Sequence, residues 1–323
     1  MAEQRPHPAY AGISTFLHLP WVEDPARIAE LRPDVAVIGA PFDVAVTHRP
    51  GARFGPRAIR AASYLQQTGL HHLGFRVEPF AVLRGIDAGD ARCVPGDIER
   101  SHEAIRSKLR ELLDAAPRCI PIVLGGDHSI TYPAAGVVAD HYARRVGVVH
   151  FDAHADAAND SWGVLLSHGT PMRRLIEAGH VAGRNFVQVG LRGYWPGPDV
   201  LDWMAEQGMR SHFLYEIEER GFEAVIEDAI AEALDGPEFI YLSVDIDVLD
   251  PAFAPGTGTP EPGGLSAREL LWAVRTIVSR VELVGMDVVE VSPPYDPSGI
   301  TAEAAHRVVL EVLSALAAKR ARR

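Results

Sequence analysis

The sequence predicts one α/β domain built around a mostly parallel sheet. Short, nearly continuous runs of Val, Ile and Leu recur along the chain, as expected for strands that are buried on both faces. Helical segments separate these runs, and strands that alternate with helices favour a parallel sheet covered by helices. No Pro/Gly/Ser-rich linker, composition break or internal repeat divides the chain. We therefore expect an N-terminal arm over residues 1–20 and a single domain over residues 21–323.

Seven segments have the composition of buried strands. The first, over residues 35–40, is apolar and β-branched and ends in Gly-Ala-Pro. The predicted strands span residues 35–40, 80–87, 119–126, 146–152, 185–191, 239–247 and 281–288.

The segments between the strands are predicted to be helices. Pro56 stands at a helix start, where a missing N–H costs nothing. Asp97 is expected to cap the following helix, and Ser266 with Glu269 forms an S-x-x-E capping box. The predicted helices span residues 56–67, 101–116, 132–143, 172–180, 222–236, 266–279 and 302–320.

The charge balance and the cysteines exclude several classes of protein. Among 323 residues, 43 are acidic and 31 are Lys or Arg, which gives a net charge of −12. A nucleic-acid-binding chain or one that binds an anionic membrane would carry a basic surface, so we expect neither partner. Cys93 and Cys119 form no CxxC motif and suit a reducing compartment. The N-terminal residues hold no apolar stretch like that of a signal peptide, so we expect a cytoplasmic protein.

Three polar clusters follow predicted strands, at the sheet edge where parallel α/β proteins bind their ligands. The first is GGDHSI over residues 125–130, in which Gly125 and Gly126 allow a sharp turn or a close backbone approach before His128. Taken alone, this motif equally well indicates a glycine turn capped by Asp127.

The second cluster, FDAHADAAND over residues 151–160, places Asp152, His154 and Asp156 two residues apart. If the chain stays extended, all three side chains point to one face. Carboxylates and an imidazole suit a divalent ion such as Mn²⁺, and a solvated loop with helix-capping acids is the less favoured interpretation because the preceding run is so apolar. His150 fits the same alternation, and we interpret it as a packed or supporting histidine.

The third cluster places Asp245 and Asp247 at the end of another buried strand, before a long Gly/Pro/Thr loop. No Lys-Ser or Lys-Thr follows its glycines, so it is not a Walker phosphate loop. Four crowded carboxylates, those of Asp152, Asp156, Asp245 and Asp247, do not all stay ionised unaided. Two divalent cations would cancel their charge, and paired metals ~3.5–4 Å apart activate a bridging water.

These motifs together resemble the ureohydrolase family of arginases, agmatinases and guanidinobutyrases. The resemblance rests on GGDHS, DAHAD, SVDIDVLDPAFAPGTGTPEPGG and VVEVSP, which stand in the family's order and cover most of the chain. It implies an arginase-like three-layer α/β/α sandwich with a mostly parallel eight-stranded sheet. It also implies two Mn²⁺ per subunit and a homo-oligomer, a trimer or a hexamer.

The resemblance also assigns residue roles. It implies that one manganese is bound by His128, Asp152, Asp156 and Asp245 and the other by Asp152, His154, Asp245 and Asp247. It makes His168 the proton relay to the departing amine, Glu290 the ligand of the guanidinium, and Asp247 an acceptor for the proton of the attacking hydroxide. Without it, His168 would be interpreted as a hydrogen-bonded loop histidine and Glu290 as a structural acid.

Two segments favour the agmatinase-like branch of the family, RPGARFGPRAIR over residues 49–60 and SHGTPMRR over residues 167–174. The predicted reaction is hydrolysis of agmatine to putrescine and urea, a step of polyamine metabolism. Loop 157–167 is expected to form part of the wall around the substrate tail. The candidate substrate contacts, besides Glu290, are Asn159, Asp160, Trp162 and, near the metals, Thr259.

The sequence does not decide whether the tail of the substrate is cationic or carries a carboxylate. Asp160 would suit a cationic tail and equally well be a solvated loop acid. A carboxylate tail, as in guanidinobutyrate, would need a basic partner, for which Arg49, Arg53 and Arg192 are available near the motifs.

Two other classes of protein also remain. A zinc deacetylase on a related fold would not need Glu290 to bind a guanidinium. A non-catalytic, metal-stabilised regulator would have no use for a proton relay such as His168.

Overall fold

A computed structural model describes residues 8–65 and 69–322 of the chain. The first seven residues of the predicted N-terminal arm lie outside the described residues. So do the last two residues of the helix predicted over 56–67. Of the described part of the arm, Phe16, Leu17 and Leu19 are buried against the domain.

In the part of the chain that the structure describes, the sheet has eight strands, all parallel, which confirms the predicted fold class. Their order across the sheet is β2-β1-β3-β8-β7-β4-β5-β6. The central strands are buried on both faces, as their apolar composition requires. The strands are β1 Val35–Ala40, β2 Gly85–Asp90, β3 Ile120–Gly125, β4 Val146–Phe151, β5 Phe186–Leu191, β6 Arg210–Phe213, β7 Phe239–Asp245 and β8 Leu283–Val289.

Helices cover both faces of the sheet and form two apolar cores with it. One face carries α2, α3 and α8–α11, and the other carries α1 and α4–α7. The helices are α1 Pro25–Leu31, α2 Gly55–Ala61, α3 Pro79–Val82, α4 Ile98–Ala115, α5 Thr131–His141, α6 Pro171–Glu177, α7 Pro198–Glu206, α8 Leu214–Arg220, α9 Phe222–Ala233, α10 Ala267–Arg280 and α11 Ile300–Ala321. Within the described residues, none of them is both long and apolar enough to cross a membrane.

The local signals for helix starts are confirmed. The Asp97 side chain accepts a hydrogen bond from the backbone N–H of Arg100, and Ser266 and Glu269 form both halves of the capping box. The strand predicted over 80–87 was wrong in its first half, because α3 occupies Pro79–Val82 and β2 begins only at Gly85. Strand β6 was not predicted, because this edge strand reads Arg-Ser-His-Phe and has no apolar run.

The sheet order brings the polar clusters together. Strands β3, β8, β7 and β4 are neighbours at its centre. The carboxyl ends of parallel strands meet at one edge, so the residues that follow these four strands converge there. His128 follows β3, Asp152 follows β4, Asp245 ends β7 and Glu290 follows β8.

Candidate active site

The glycine pair after β3 lets the backbone approach a neighbouring loop closely. A Cβ on Gly126 would lie 2.1 Å from the carbonyl oxygen of Phe42, so no side chain fits there. The chain then turns into a short 3-10 helix that starts at His128. This close approach is the one that the GGDHS motif predicts.

The ring of His128 is fully buried and faces three carboxylates. Its Nδ1 makes no hydrogen bond with any residue that the structure describes. Carboxylate oxygens of Asp152, Asp156 and Asp245 lie 3.0 to 3.1 Å from this nitrogen. A buried nitrogen ringed by carboxylate oxygens is a donor set that a divalent cation satisfies.

The DAHAD segment reaches this site by a different route from the predicted one. Strand β4 ends at Phe151, so the segment does not stay extended and its alternation does not set the side-chain directions. The segment is an irregular loop in which Asp156 has a φ of 47°, in the left-handed region that few non-glycine residues adopt. The backbone N–H of His154 donates to Asp152 Oδ1 at 2.6 Å. Loop geometry, rather than strand pleating, therefore brings the three side chains to one side.

The second aspartate pair also lies partly outside its strand. Asp245 ends β7, whereas Asp247 lies in a 3-10 turn over Ile246–Val248. The carboxylate of Asp245 accepts a hydrogen bond from the backbone N–H of Asp247 at 2.8 Å. Asp247 Oδ2 then lies 3.0 Å from Nδ1 of His154. The turn thus directs Asp247 toward the imidazole of the neighbouring loop.

The six predicted metal ligands form two groups of donor atoms. One group contains His128, Asp152, Asp156 and Asp245, and the other contains Asp152, His154 and Asp247; within each, the donor atoms lie within 4.8 Å of one another. Asp152 belongs to both groups and suits a bridging ligand. The resemblance implied that Asp245 would also belong to both groups, whereas the structure places it in the first group and not in the second.

Burial makes the charge of these carboxylates costly. Burial and the charge of Asp247 raise the pKa of Asp152 to about 6. Burial, together with the charges of Asp247 and Asp152, raises the pKa of Asp245 well above its ordinary value. Two divalent cations would remove this repulsion, so the donor atoms and their charge both fit a binuclear metal centre.

His150 is a buried histidine that contacts the candidate ligand Asp152. Burial lowers the pKa of this histidine to about 3, so the ring is neutral. The side-chain amide of Gln188 lies 3.1 Å from Nδ1 and donates to it, which leaves the proton on Nε2. Nε2 lies 2.8 Å from Asp152 Oδ2 and donates to it. His150 therefore orients Asp152, the role of a supporting histidine, although its ring also lies in a group of possible metal donors with His128 and Asp152.

A hydrogen-bond chain that the sequence did not reveal holds His128. Its Nε2 lies 3.0 Å from Ser243 Oγ, and Ser243 donates to Asp287 Oδ1 at 2.7 Å. The buried Asp287 also accepts from the hydroxyls of Tyr241 and Thr131. In the sequence, the only signal for these hydrogen bonds is that Ser243 alternates with Asp245 in β7. These contacts fix the ring orientation and leave Nδ1 free for a cation.

Replacing Ser243 with Ala is expected to weaken Mn²⁺ binding by roughly 10- to 100-fold, because the hydrogen bond that orients His128 is lost. Titration of the metal-free protein with Mn²⁺ measures the change. Ser314→Ala is the matched control, because that buried hydroxyl bonds only to a helix carbonyl in α11. Equal Mn²⁺ affinity in Ser243→Ala and the wild type would show that the chain does not support the ligand.

Glu290 connects the metal cluster to the proposed proton relay. It is buried and has a φ of 62°, a strained conformation for a residue other than glycine. Its Oε1 accepts from the backbone N–H of His128 at 2.9 Å and lies 3.1 Å from His168 Nδ1. Its Oε2 is buried and has no hydrogen-bond partner among the described residues 8–65 and 69–322. A Cβ on Gly258 would lie 3.2 Å from Oε2, so glycine keeps space open beside this oxygen.

His168 is held between two partners. Nδ1 faces Glu290, and Nε2 lies 2.7 Å from Thr47 Oγ1 and 3.2 Å from the backbone nitrogen of Thr47. Burial lowers the pKa of His168, but the hydrogen bond and charge of Glu290 outweigh it and raise the pKa to about 9. In the neutral ring, the Thr47 N–H donates to Nε2. Sequence reasoning missed Thr47, although it lies just before the RPGARFGP motif.

A cavity of about 430 Å³ opens beside the cluster. His154, Asp156 and His168 line it on the side of the cluster, and the predicted residues Asp160, Trp162 and Thr259 also line it. Asn159 lies next to this wall, and its side chain donates to Asp160. Trp195, which the sequence analysis did not single out, completes the wall, with its ring centroid 6.2 Å from that of His154.

The arginines that were candidates for a carboxylate tail have other partners. The guanidinium of Arg192 donates to backbone carbonyls, among them those of Asp247 and Glu261. Arg53 pairs with Asp43, and the Arg49 guanidinium lies 5.2 Å from the centre of the Tyr295 ring. Among the described residues, no Lys or Arg lines the cavity.

The amino-acid sequence is similar to those of known proteins over most of its length. The sequence model of the arginase family matches residues 33–315. Proclavaminate amidinohydrolase from Streptomyces clavuligerus is 42% identical over 95% of this chain and 94% of its own. Guanidinopropionase from Pseudomonas aeruginosa is 41% identical over 98% and 95%, and mitochondrial agmatinase from Gallus gallus is 39% identical over 88% and 81%.

Solved structures agree with the sequence comparison. The structure of the Streptomyces clavuligerus proclavaminate amidinohydrolase superposes with a TM-score of 0.87 and 40% identity, covering 97% of this chain and all of that one. Formiminoglutamase from Trypanosoma cruzi, solved with two Mn²⁺, gives a TM-score of 0.79 at 26% identity, covering 88% and 94%. The arrangement of strands around the cluster is therefore shared with these proteins.

Proposed function

The chain belongs to the arginase family and is a binuclear-metal amidinohydrolase, and from that premise we propose that it hydrolyses agmatine to putrescine and urea. The observation that carries the proposal is the buried, unpartnered Oε2 of Glu290 beside the carboxylate cluster. An ionised carboxylate in that position is a partner for the planar, charged N–H groups of a guanidinium. Neither an acyl-amine substrate nor a purely regulatory metal site needs it.

The residues divide the chemistry among them. A pair of divalent cations, when bound by the two ligand groups, supplies an activated water at neutral pH. Glu290 holds the guanidinium, and its contact with the backbone of His128 fixes the guanidinium relative to the ligand cluster. Asp247 is placed to accept the proton of the attacking water. His168 holds the proton that the departing amine requires.

The cavity wall supports a cationic substrate tail. Asp160 lies on the wall, and its Oδ1 accepts from the backbone N–H of Gly163 at 2.8 Å, which fixes its position. The rings of Trp162 and Trp195 offer apolar faces for a methylene chain and attract a terminal ammonium. No described wall residue is a Lys or Arg that would pair with a carboxylate.

A urea-release panel across agmatine, arginine, guanidinobutyrate, guanidinopropionate and free guanidine tests the proposal. We expect agmatine to have the highest kcat/KM. Asp160→Asn should lower kcat/KM for agmatine about 2- to 5-fold, as for an exposed ion pair, and leave that for free guanidine, which has no tail, unchanged. A preference for arginine would contradict the agmatine assignment, and no urea from any of the five compounds would contradict the reaction itself.

A second candidate is hydrolysis of a guanidino acid, as the names of the guanidinopropionase and proclavaminate amidinohydrolase relatives suggest. Both are slightly more identical to this chain than the Gallus gallus agmatinase is. In this case a three- or four-carbon guanidino acid would exceed agmatine in the panel. Asp160→Asn would then raise the kcat/KM for that acid, because it removes a like charge from the wall.

The proposal also covers the metal, the compartment and the assembly. The Trypanosoma cruzi neighbour, solved with two Mn²⁺, supports manganese as the native metal. Cys93 and Cys119 form no disulfide, which suits the cytoplasm. A homo-oligomer, a trimer or a hexamer, follows from the family resemblance alone.

A further inference from the structure

Neither nitrogen of the His168 ring is free to contact a substrate. Nδ1 lies 3.1 Å from Glu290 Oε1, and Nε2 is covered by Thr47, whose hydroxyl oxygen is 2.7 Å away. The side chain of His168 is only 10% exposed. A proton that leaves the ring toward the cavity therefore meets the Thr47 hydroxyl first.

Thr47 is exposed on the wall of the same cavity that His154 and Asp156 line. Hydrogen bonds connect the loop that contains Thr47 to Asp127 and to His168. The backbone N–H of Ala45 donates to Asp127 Oδ2 at 3.0 Å, and the backbone N–H of His168 donates to the carbonyl of Ala45 at 3.2 Å. The backbone of Thr47 itself reaches His168 Nε2 at 3.2 Å. The hydroxyl is thus held between the imidazole and the cavity.

We propose that the Thr47 hydroxyl is a catalytic group that carries the proton from His168 to the departing amine. This inference rests on the proposed ureohydrolase reaction. When the bond between the guanidinium carbon and the amine nitrogen breaks, the electron pair stays on nitrogen and takes the proton of the Thr47 hydroxyl. The Thr47 oxygen takes the Nε2 proton of His168 in the same step. A hydroxyl serves this purpose because it donates and accepts at once.

The proton count closes without any further reagent. A guanidinium and water give urea and an alkylammonium ion, so the attacking water loses two protons and the amine nitrogen gains two. One reaches the nitrogen through Thr47 as the C–N bond breaks, and the free amine takes the other from solvent, to which the water has given up its second proton. His168 regains its proton from that water by way of the active-site carboxylates or solvent. In the neutral ring, Nε2 accepts from Thr47; in the protonated ring, Nε2–H donates to the Thr47 oxygen. The Thr47 hydroxyl therefore forms a hydrogen bond with Nε2 in both protonation states of the ring.

Thr47→Val tests the relay, because valine has the shape of threonine without the hydroxyl and keeps the backbone contact. With agmatine, or with the substrate that the panel identifies, kcat should fall by roughly 10²-fold, the usual contribution of a general acid. KM and manganese content should stay near the wild-type values. Thr47→Ser keeps a hydroxyl and should retain kcat to within about 3- to 5-fold.

A second substrate separates proton delivery from a purely structural role. In the guanidinooxy analogue, oxygen replaces the methylene beside the guanidino nitrogen, so the leaving group is a weakly basic alkoxyamine. Such a group leaves without full protonation, so Thr47→Val should slow its release by less than about 5-fold. Equal losses with both substrates, or full activity of Thr47→Val with agmatine, would overturn the relay. Failure of the wild type on every guanidino compound would instead overturn the proposed function.

Discussion

Replacing Asp152 with Ala is expected to abolish both manganese retention and urea release. Asp152 is fully buried, belongs to both groups of donor atoms and lies 3.1 Å from Nδ1 of His128. Its loss removes one ligand from each cation and leaves His128 and His154 without their shared carboxylate. We expect a fall of at least ~10³-fold in kcat/KM, equivalent to about 4 kcal/mol.

Metal analysis of the purified variant, together with its urea release, measures this effect. Asp245→Ala should behave in the same way, because Asp245 faces the same nitrogen of His128. Asp114→Ala is the control, since this aspartate is exposed in the last turn of α4 and belongs to none of the groups of donor atoms found in the described residues. An Asp152→Ala protein that keeps full manganese-dependent activity would remove the basis of the metal-centre assignment.

Glu290→Gln is expected to lower kcat/KM for the guanidino substrate by about 10²- to 10³-fold. Glutamine keeps the size of the side chain and one acceptor oxygen for the N–H of His128 and for His168. It places an amide NH₂ where the unpartnered Oε2 lies, and this group repels the N–H groups of a guanidinium. The loss corresponds to about 3 to 4 kcal/mol, as for two charge-assisted hydrogen bonds.

The measurement is steady-state kinetics of Glu290→Gln together with its manganese content. We expect the manganese content to stay near two ions per chain. Glu303→Gln, at an exposed position in the first turn of α11, is the matched control. If Glu290→Gln kept wild-type kcat/KM, Glu290 would be a structural acid after all, as its position at a strand end indicates without the family resemblance.

The buried strands were predictable because burial on both faces leaves a direct mark on composition. Strand β1 was predicted to the residue, and the central strands to within two residues at either end. Edge strand β6 was missed, because Arg210 is exposed and the strand has no apolar run to reveal it. The short helix α3 was read as strand, because four apolar residues carry too little periodicity to separate the two structures.

The candidate ligands lie together for a different structural reason from the one that the sequence indicated. Alternation along an extended strand was the argument for Asp152, His154 and Asp156, yet an irregular loop and a left-handed Asp156 bring them together. Residue chemistry and the family motif named the residues that the loop brings together, whereas periodicity predicted an extended backbone that the structure does not have. Contacts between distant segments, such as Thr47 with His168 and Ser243 with Asp287, depend on tertiary structure and leave no local pattern.

The central claim is that urea release requires two divalent cations held by the six candidate ligands, which are His128, Asp152, His154, Asp156, Asp245 and Asp247. Its most direct test is a titration of the metal-free protein with Mn²⁺, in which bound metal and urea release are measured in the same samples. We predict that binding saturates at two ions per chain and that activity reaches its maximum only at that point. Full urea release at one ion per chain, or with a chelator and no bound metal, would contradict the account.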